Sequence, residues 1–283
     1  VVNSTRPTLK RRFGRSRRIA GALCTAVAFQ AIAGPALARE ELTCKHLPRL
    51  FSTFLQKHIT YHHLNDELRA RTIDNYVKRL DPSKTLYLPE EVDALKKKLR
   101  GIFLEVQNGE CKTLLDVHTD LIIRVKATEV FVGSTLGADD YEVDTSLTLI
   151  LDSDKRSRPA TTEERDRFVE KLVHFQMTNY LGNDLEVDEA KEKLTHRYEL
   201  MTKRAQERNS VDIYAVFLDA FASALDPHSN YLSAEAMEDF QIGMDLSLDG
   251  IGVALSSQDG YSVVEKIIPG GAADQIDVLQ PKD

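Results

Sequence analysis

Apolar residues recur at intervals of three and four positions along residues 43–240. This spacing places them on one face of an α-helix and predicts a succession of amphipathic helices. We therefore expect a mainly α fold over this part of the chain. The apolar stripes lie at residues 47–55, 68–80, 92–106, 114–132, 168–175, 194–201 and 211–225.

The boundaries of several predicted helices carry their own signals. Asp81-Pro82 should end one helix, Pro89 should begin another, and Gly133 lies near the end of the fourth stripe. Thr161 and Glu164 have the spacing of a capping box, which predicts a helix start. These signals divide the stripes into separate helices.

Two stretches depart from the helical pattern. Residues 134–160 are rich in aspartate and contain a short alternating run at 146–151, which predicts a long connection with one strand. From about residue 242 the sequence becomes glycine-punctuated and β-rich, with a turn at Pro269-Gly270-Gly271 before a short helix. Because only about 40 residues remain for this β-containing module, near the lower limit for independent folding, we expect it to be incomplete.

Residues 1–38 have the three parts of a secretory signal peptide. Seven basic side chains and no acidic one precede a nearly apolar run at 19–33, and Ala36-Leu37-Ala38 presents small residues at the cleavage positions. We predict cleavage after Ala38 and export to the periplasm or cell envelope. A transmembrane anchor is the alternative, but a span needs about 20 mostly apolar residues, and Pro35 interrupts this one.

Composition and charge narrow the classes of partner. Hydrophobic residues make up 42% and charged residues 29% of the 283, which is typical of a folded protein. The net charge is −7 although the first 38 residues are basic, so the remainder is strongly acidic and unsuited to nucleic acid. Contact with a membrane should be peripheral at most. Cys44 and Cys111 remain after cleavage, either as a disulfide or as two buried thiols, and the spacing leaves both open.

Several residue groups resemble reactive or ligand-binding sites without meeting their requirements. Asp226-Pro227-His228-Ser229 contains the residue types of a catalytic triad, but neighbours in sequence cannot converge as a triad must, so we expect a capping turn. His58 and His62 have metal-ligand spacing, yet the helix should end there, which favours surface histidines. The aspartates at 139–154 lack a calcium-loop pattern, and Gly250-Ile251-Gly252 lacks a third glycine for dinucleotides. We predict no metal and no cofactor.

The glycine loop before the first predicted strand is the better candidate for binding. Such a loop directs successive backbone N–H groups into one space, where they can bind the terminal carboxylate of a peptide. The strand that follows could then pair with the peptide. An ordinary turn that needs glycine for a positive φ is the alternative. The candidate carboxylate-binding residues are Gly250, Ile251, Gly252 and Val253.

These motifs together resemble the tail-specific proteases, the C-terminal processing peptidases of bacterial envelopes. Residues 225–233, with the sequence L-D-P-H-S-N-Y-L-S, are followed within about twenty residues by the S-L-D-G-I-G loop, and both are similar to family motifs. In the family, this loop belongs to a PDZ domain. Residues 269–273 resemble the turn before the first PDZ helix. Residues 279–283 look like the start of a later strand, with Lys282 where glycine is usual.

The resemblance implies a signal peptide at 1–38, a helical domain at 39–240 and the first half of a PDZ domain at 241–283. It implies an exported serine endopeptidase that degrades or processes envelope proteins selected by their C-terminal tails, with an adaptor protein as a further partner. The family's catalytic serine and lysine would lie beyond residue 283, so no catalytic residue is assigned and this chain alone should be inactive. The alternative is a non-catalytic exported helical protein with a PDZ-like binding module.

Overall fold

A computed structural model of the protein describes residues 41–244, 250–258, 261–276 and 278–282. The predicted signal peptide lies outside these residues. Within them the chain is mainly helical and ends in a two-stranded antiparallel sheet, so the predicted fold class is confirmed. The helices of the first part are α1 Leu47–Lys57, α2 Asp66–Leu80, α3 Pro89–Leu99, α4 Ile102–Gln107, α5 Lys112–Leu136, α6 Thr162–Leu181, α7 Val187–Glu207, α8 Ser210–Leu225 and α9 Ala234–Met244.

The helix boundaries follow the signals in the sequence. Helix α2 ends immediately before Asp81-Pro82, and α3 begins at Pro89, where the missing N–H of proline costs no helical hydrogen bond. The Thr161 side chain accepts a hydrogen bond from the Glu164 N–H at 3.2 Å and caps α6. In the part of the chain that the structure describes, no helix is long and apolar enough to cross a bilayer.

The helices build two separate hydrophobic cores. The first contains residues of α1 to α4, the first half of α5 and α8, while the second joins the end of α5 to α6 and α7. Helix α5 belongs to both, because Leu114 and Leu121 lie in the first core and Val132 and Leu136 in the second. At 25 residues it is about 37 Å long, enough to cross both cores.

Aromatic side chains form the centre of the first core. The ring of Phe51 lies 4.4 Å from that of Phe221 and 5.9 Å from that of Phe103, measured between centroids. Tyr76 meets Phe217 edge to face at 5.3 Å. Each such pair contributes roughly 0.5–1.5 kcal/mol beyond its buried area. These contacts hold α1, α2, α4 and α8 around one centre.

A polar link joins α2 to α8 outside this centre. The Arg79 guanidinium donates to Asp219 Oδ2 from Nε at 2.9 Å and from Nη2 at 2.7 Å, and Nη2 also donates to Ser223 Oγ at 2.7 Å. The other carboxylate oxygen of Asp219 accepts the N–H of Tyr231 at 3.0 Å. The same carboxylate therefore orients both α2 and the segment that follows α8.

The prediction of a strand at residues 146–151 is wrong. The structure has no strand between α5 and α6, and the apolar side chains of Leu147, Ile150 and Leu151 are exposed. A strand needs a neighbouring strand for its backbone hydrogen bonds, and the helices around this segment offer none. The aspartates of the connection are exposed, and Asp144 accepts hydrogen bonds from the amide and hydroxyl of Ser146 at 2.8 and 2.6 Å.

The basic end of this connection is fixed to the loop between α2 and α3. Arg158 forms an ion pair with Asp81, whose side chain is only 1% exposed, and donates to the Tyr87 carbonyl at 3.1 Å. Lys84 donates to the Arg156 carbonyl at 3.1 Å. Asp81 also accepts the N–H of Thr85 at 2.9 Å. A buried carboxylate with these partners keeps the connection in place although its one regular element is a single 3₁₀ turn at Ser153–Lys155.

The chain ends in a small α/β module. Strand β1 Val253–Gln258 pairs with strand β2 Tyr261–Ile267, and helix α10 Ala272–Ile276 follows. The register places Val253 opposite Ile267 and has an irregularity between Ala254 and Leu255. Between β2 and α10 the chain turns at Pro269 and Gly270. The predicted turn and the short helix after it are confirmed.

A disulfide joins Cys44 to Cys111, so the paired alternative is the one that the structure contains. It links the segment before α1 to the residue that precedes α5 across 67 positions. Most of the first core is thus enclosed in one covalent loop.

We expect loss of this disulfide to lower the free energy of unfolding by about 4 kcal/mol, because a loop of this length restricts the unfolded chain. Urea unfolding of the wild type with and without reductant measures the effect. The C44S/C111S variant should match the reduced wild type and should not respond to reductant. A loss below about 1 kcal/mol would contradict the expectation.

Candidate functional site

The glycine loop that precedes β1 is held in place by the turn before α10. The Gly252 carbonyl accepts the N–H of Ile268 at 2.8 Å, and the Ile251 carbonyl accepts the N–H of Ala273 at 2.9 Å. The backbones of Gly252 and Gly271 approach so closely that a Cβ atom on Gly252 would lie 2.9 Å from the Gly271 Cα atom. The loop and the turn are therefore packed together and joined by hydrogen bonds.

The two glycines of the loop have different requirements. Gly252 has a φ of 78°, a left-handed conformation that strains other residues, and it also has no room for a side chain. Gly250 has no left-handed φ, and no described atom lies within 4 Å of a Cβ atom built there. An ordinary turn accounts for Gly252 but leaves Gly250 without a structural requirement among the described residues.

The surroundings of the loop are open and apolar. No described residue accepts a hydrogen bond from the amide of Ile251 or Gly252. The side chains of Ile251 and Leu255 are 61% and 59% exposed. Among the described residues, β2 is the strand that pairs with β1, and no other described strand pairs with the second edge of β1. Gly250, Ile251 and Gly252 lead directly into β1, and Val253 is its first residue. The binding of a carboxylate by these four residues stays a prediction.

Lys282 occupies a position that suits glycine. Its φ is 82°, and its N–H donates to the Val264 carbonyl at 2.7 Å, which ties the end of the described chain to β2. The resemblance led us to expect glycine at this position, and the left-handed backbone gives the physical reason. Because lysine has a Cβ atom, this left-handed conformation costs roughly 1–2 kcal/mol at Lys282.

The structure brings His58 to the Asp226 turn. His58 Nε2 lies 3.0 Å from Asp226 Oδ2, and Ser229 Oγ donates to the same oxygen at 2.6 Å. His58 Nδ1 accepts the backbone N–H groups of Thr60 and Tyr61. Nε2 therefore carries the ring proton and donates a hydrogen bond to the Asp226 carboxylate. No sequence signal reveals this contact, because its two partners lie 168 positions apart.

This cluster corrects one expectation and supports another. His58 is not a surface histidine, since its side chain is only 10% exposed, whereas His62 is exposed. The predicted capping turn is present, because Asp226 accepts the N–H of His228 at 2.7 Å. The arrangement cannot work as a triad: the Ser229 hydroxyl donates to the aspartate and has no base to take its proton.

Hydrogen bonds set the protonation of Asp226. The Ser229 hydroxyl and the His228 amide lower the pKa of Asp226 from 3.8 to about 2, and His58 adds to this effect. The folded protein binds this proton more weakly than the unfolded chain. The resulting stabilisation is therefore fully present above pH 3.8 and is lost as the pH falls through about 2.

We expect the difference in unfolding free energy between wild type and D226N to be constant above pH 4 and to shrink as the pH approaches 2. Denaturant unfolding at a series of pH values measures it. The S229A variant keeps the carboxylate but loses its strongest hydrogen bond, so the folded pKa of Asp226 lies closer to 3.8, and the loss of stability on acidification should be smaller than in the wild type and complete at a higher pH. A difference that does not change with pH would contradict this account.

We also expect G252A to lower the free energy of local opening of the C-terminal module by more than about 1 kcal/mol. The substitution combines a left-handed φ with a steric clash. Hydrogen exchange of the amides in β1 and β2 measures the local opening. G270A has a left-handed φ but open space and should have a smaller effect, while G250A should have almost none. Equal protection in G252A and G250A would contradict the expected order.

Comparisons with known proteins agree with this architecture. The family model described as the tail-specific protease N-terminal domain matches residues 50–235, which is more than half of the chain and covers α2 to α8. The chain is also similar to the tail-specific protease of Haemophilus influenzae, with 28% identity over 252 residues. This alignment covers 88% of the chain but 36% of that relative, so the chain spans about a third of the relative's length. From the match over its helical region, we conclude that the chain belongs to the tail-specific protease N-terminal domain family.

Proposed function

We propose that this chain is the amino-terminal portion of an exported serine endopeptidase that selects substrates by their C-terminal tails. The observation that carries the proposal is the glycine loop that hydrogen bonds hold at the start of β1, in a chain of the tail-specific protease N-terminal domain family. The loop belongs to the first half of a PDZ domain, and the helical domain supports the capture of substrates.

In this proposal the substrate tail binds as an additional strand. Its terminal carboxylate accepts hydrogen bonds from the loop amides between Gly250 and Val253, and its backbone pairs with the edge of β1 that faces away from β2. The exposed side chains of Ile251 and Leu255 favour apolar residues in the tail. Both the chemistry of the chain end and its apolar character then contribute to selection.

The catalytic chemistry belongs to the remainder of a longer protein. In the tail-specific protease family a serine nucleophile and a lysine base perform the cleavage, and we place both downstream of Asp283. The Haemophilus influenzae relative is nearly three times as long as the aligned region, which agrees with this division. This chain contributes binding groups to the reaction and no catalytic residue.

Export to the periplasm fits the chemistry of the cysteines. A disulfide such as Cys44–Cys111 forms and persists in oxidising compartments and is rare in the cytosol. The basic and apolar pattern of residues 1–38 provides the export signal, and the mature protein begins at Arg39. Envelope proteins are then the available substrates, and an adaptor protein is a further partner.

The test uses the native protein purified from its source, with Arg39 expected at its N-terminus. It is incubated with an unfolded reporter protein that ends in an apolar tail with a free carboxylate. Two matched reporters carry either an amidated apolar tail or a tail of aspartates. We expect rapid cleavage of the first reporter and at least about tenfold slower cleavage of the others, because each lacks one of the two recognition features.

Two results would contradict the proposal. Equal cleavage of all three reporters would exclude selection by the C-terminal tail. Binding of the apolar tail without any cleavage would favour the alternative, a non-catalytic helical protein with a PDZ-like module.

A further inference from the structure

A cleft of about 420 Å³ lies between the two hydrophobic cores. Its lining comes from the end of α2 and the loop after it, from α5, and from α6 and α7. The volume is within the range of sites that bind ligands. The cleft is remote in sequence from the glycine loop and shares no residue with it.

The lower part of the cleft is apolar. Leu80, Leu121 and Val169 contribute buried side chains, and Met201 lies at the mouth with 46% of its surface exposed. Burial of apolar atoms from a ligand here would favour binding, because it removes them from water. The cleft therefore suits a ligand with apolar groups.

The rim of the cleft carries unpaired positive charge. Arg197 and Arg204 are exposed on α7, where their spacing places them with Met201 along one helical stripe, and Arg208 is exposed at the residue that follows the helix. None of the three arginines forms an ion pair or hydrogen bond with a described residue. Other cations of the same helix do form ion pairs, as Lys193 does with Glu189.

The other charged groups of the cleft are already neutralised. Arg79 is bound to Asp219, and Asp81, the acidic residue of the lining, is buried against Arg158. Arg197 and Arg204 of α7 and Arg208 after it thus determine the charge of the rim. In a chain with a net charge of −7, this local excess of positive charge fits an anionic ligand.

We propose that this cleft binds a polypeptide segment that combines apolar and acidic side chains. The three arginines lie between Arg197 and the residue after α7, Arg208, a separation of eleven residues or about 16 Å along the helix axis. About five residues of extended chain cover this distance, so acidic side chains can reach all three arginines while apolar ones enter the cleft. A single-headed anion such as a fatty acid would engage only one end of the stripe.

The test measures binding of a fluorescent eight-residue peptide of alternating leucine and glutamate. Its C-terminus is amidated, so it offers no terminal carboxylate to the glycine loop, and the outcome does not depend on the proposed PDZ function. We expect saturable binding to the wild type and about tenfold weaker binding to R197Q/R204Q, because two charge contacts are lost. A leucine–lysine peptide should not bind.

The matched control is K193Q/K203Q, which removes the same charge from α7 at positions outside the cleft. Both lysines pair with glutamates of their own helix. This variant should bind the peptide within about twofold of the wild type. Equal weakening by both double variants would reduce the effect to net charge and overturn the proposal. It would also be overturned if the wild type bound laurate but not the peptide, which would identify a fatty-acid site.

Discussion

The arrangement of the helical domain depends on one constraint, the burial of the two ends of α5 in different cores. Leu114 and Leu121 anchor its first half, and Val132 and Leu136 anchor its second half. The two cores must therefore lie along one helix, and a cleft remains between them where neither core fills the space. The disulfide at Cys111 fixes the start of the same helix.

Much of the helical fold could be predicted because its signals are local. Apolar spacing, Pro89 and the Thr161 cap act within a few residues, and the structure has helices where they indicate. The strand prediction at 146–151 is wrong because it also rests on a local signal. Alternating apolar residues form a strand only if a partner strand is available. The ties from His58 to Asp226 and from Arg158 to Asp81 join distant positions, which periodicity cannot reveal.

The two candidate sites differ in how much the sequence reveals. The glycine loop could be found because left-handed backbone and close packing demand glycine at Gly252. The arginine stripe of α7 could not, because exposed charges on a helix usually face solvent. Arg197 and Arg204 gain meaning only when the tertiary structure places apolar side chains beside them.

The order of the core residues along the chain affects how the molecule can assemble during synthesis. All buried residues of the second core lie between positions 132 and 198. Those of the first core lie in two separate stretches, residues 42–121 and residues 213–225 of α8. A chain that emerges N-terminus first can complete the second core before the first, because Phe217 and Phe221 arrive last. Until then the apolar faces of α1 to α4 remain open to water, and this interval is when the growing chain most needs protection from aggregation.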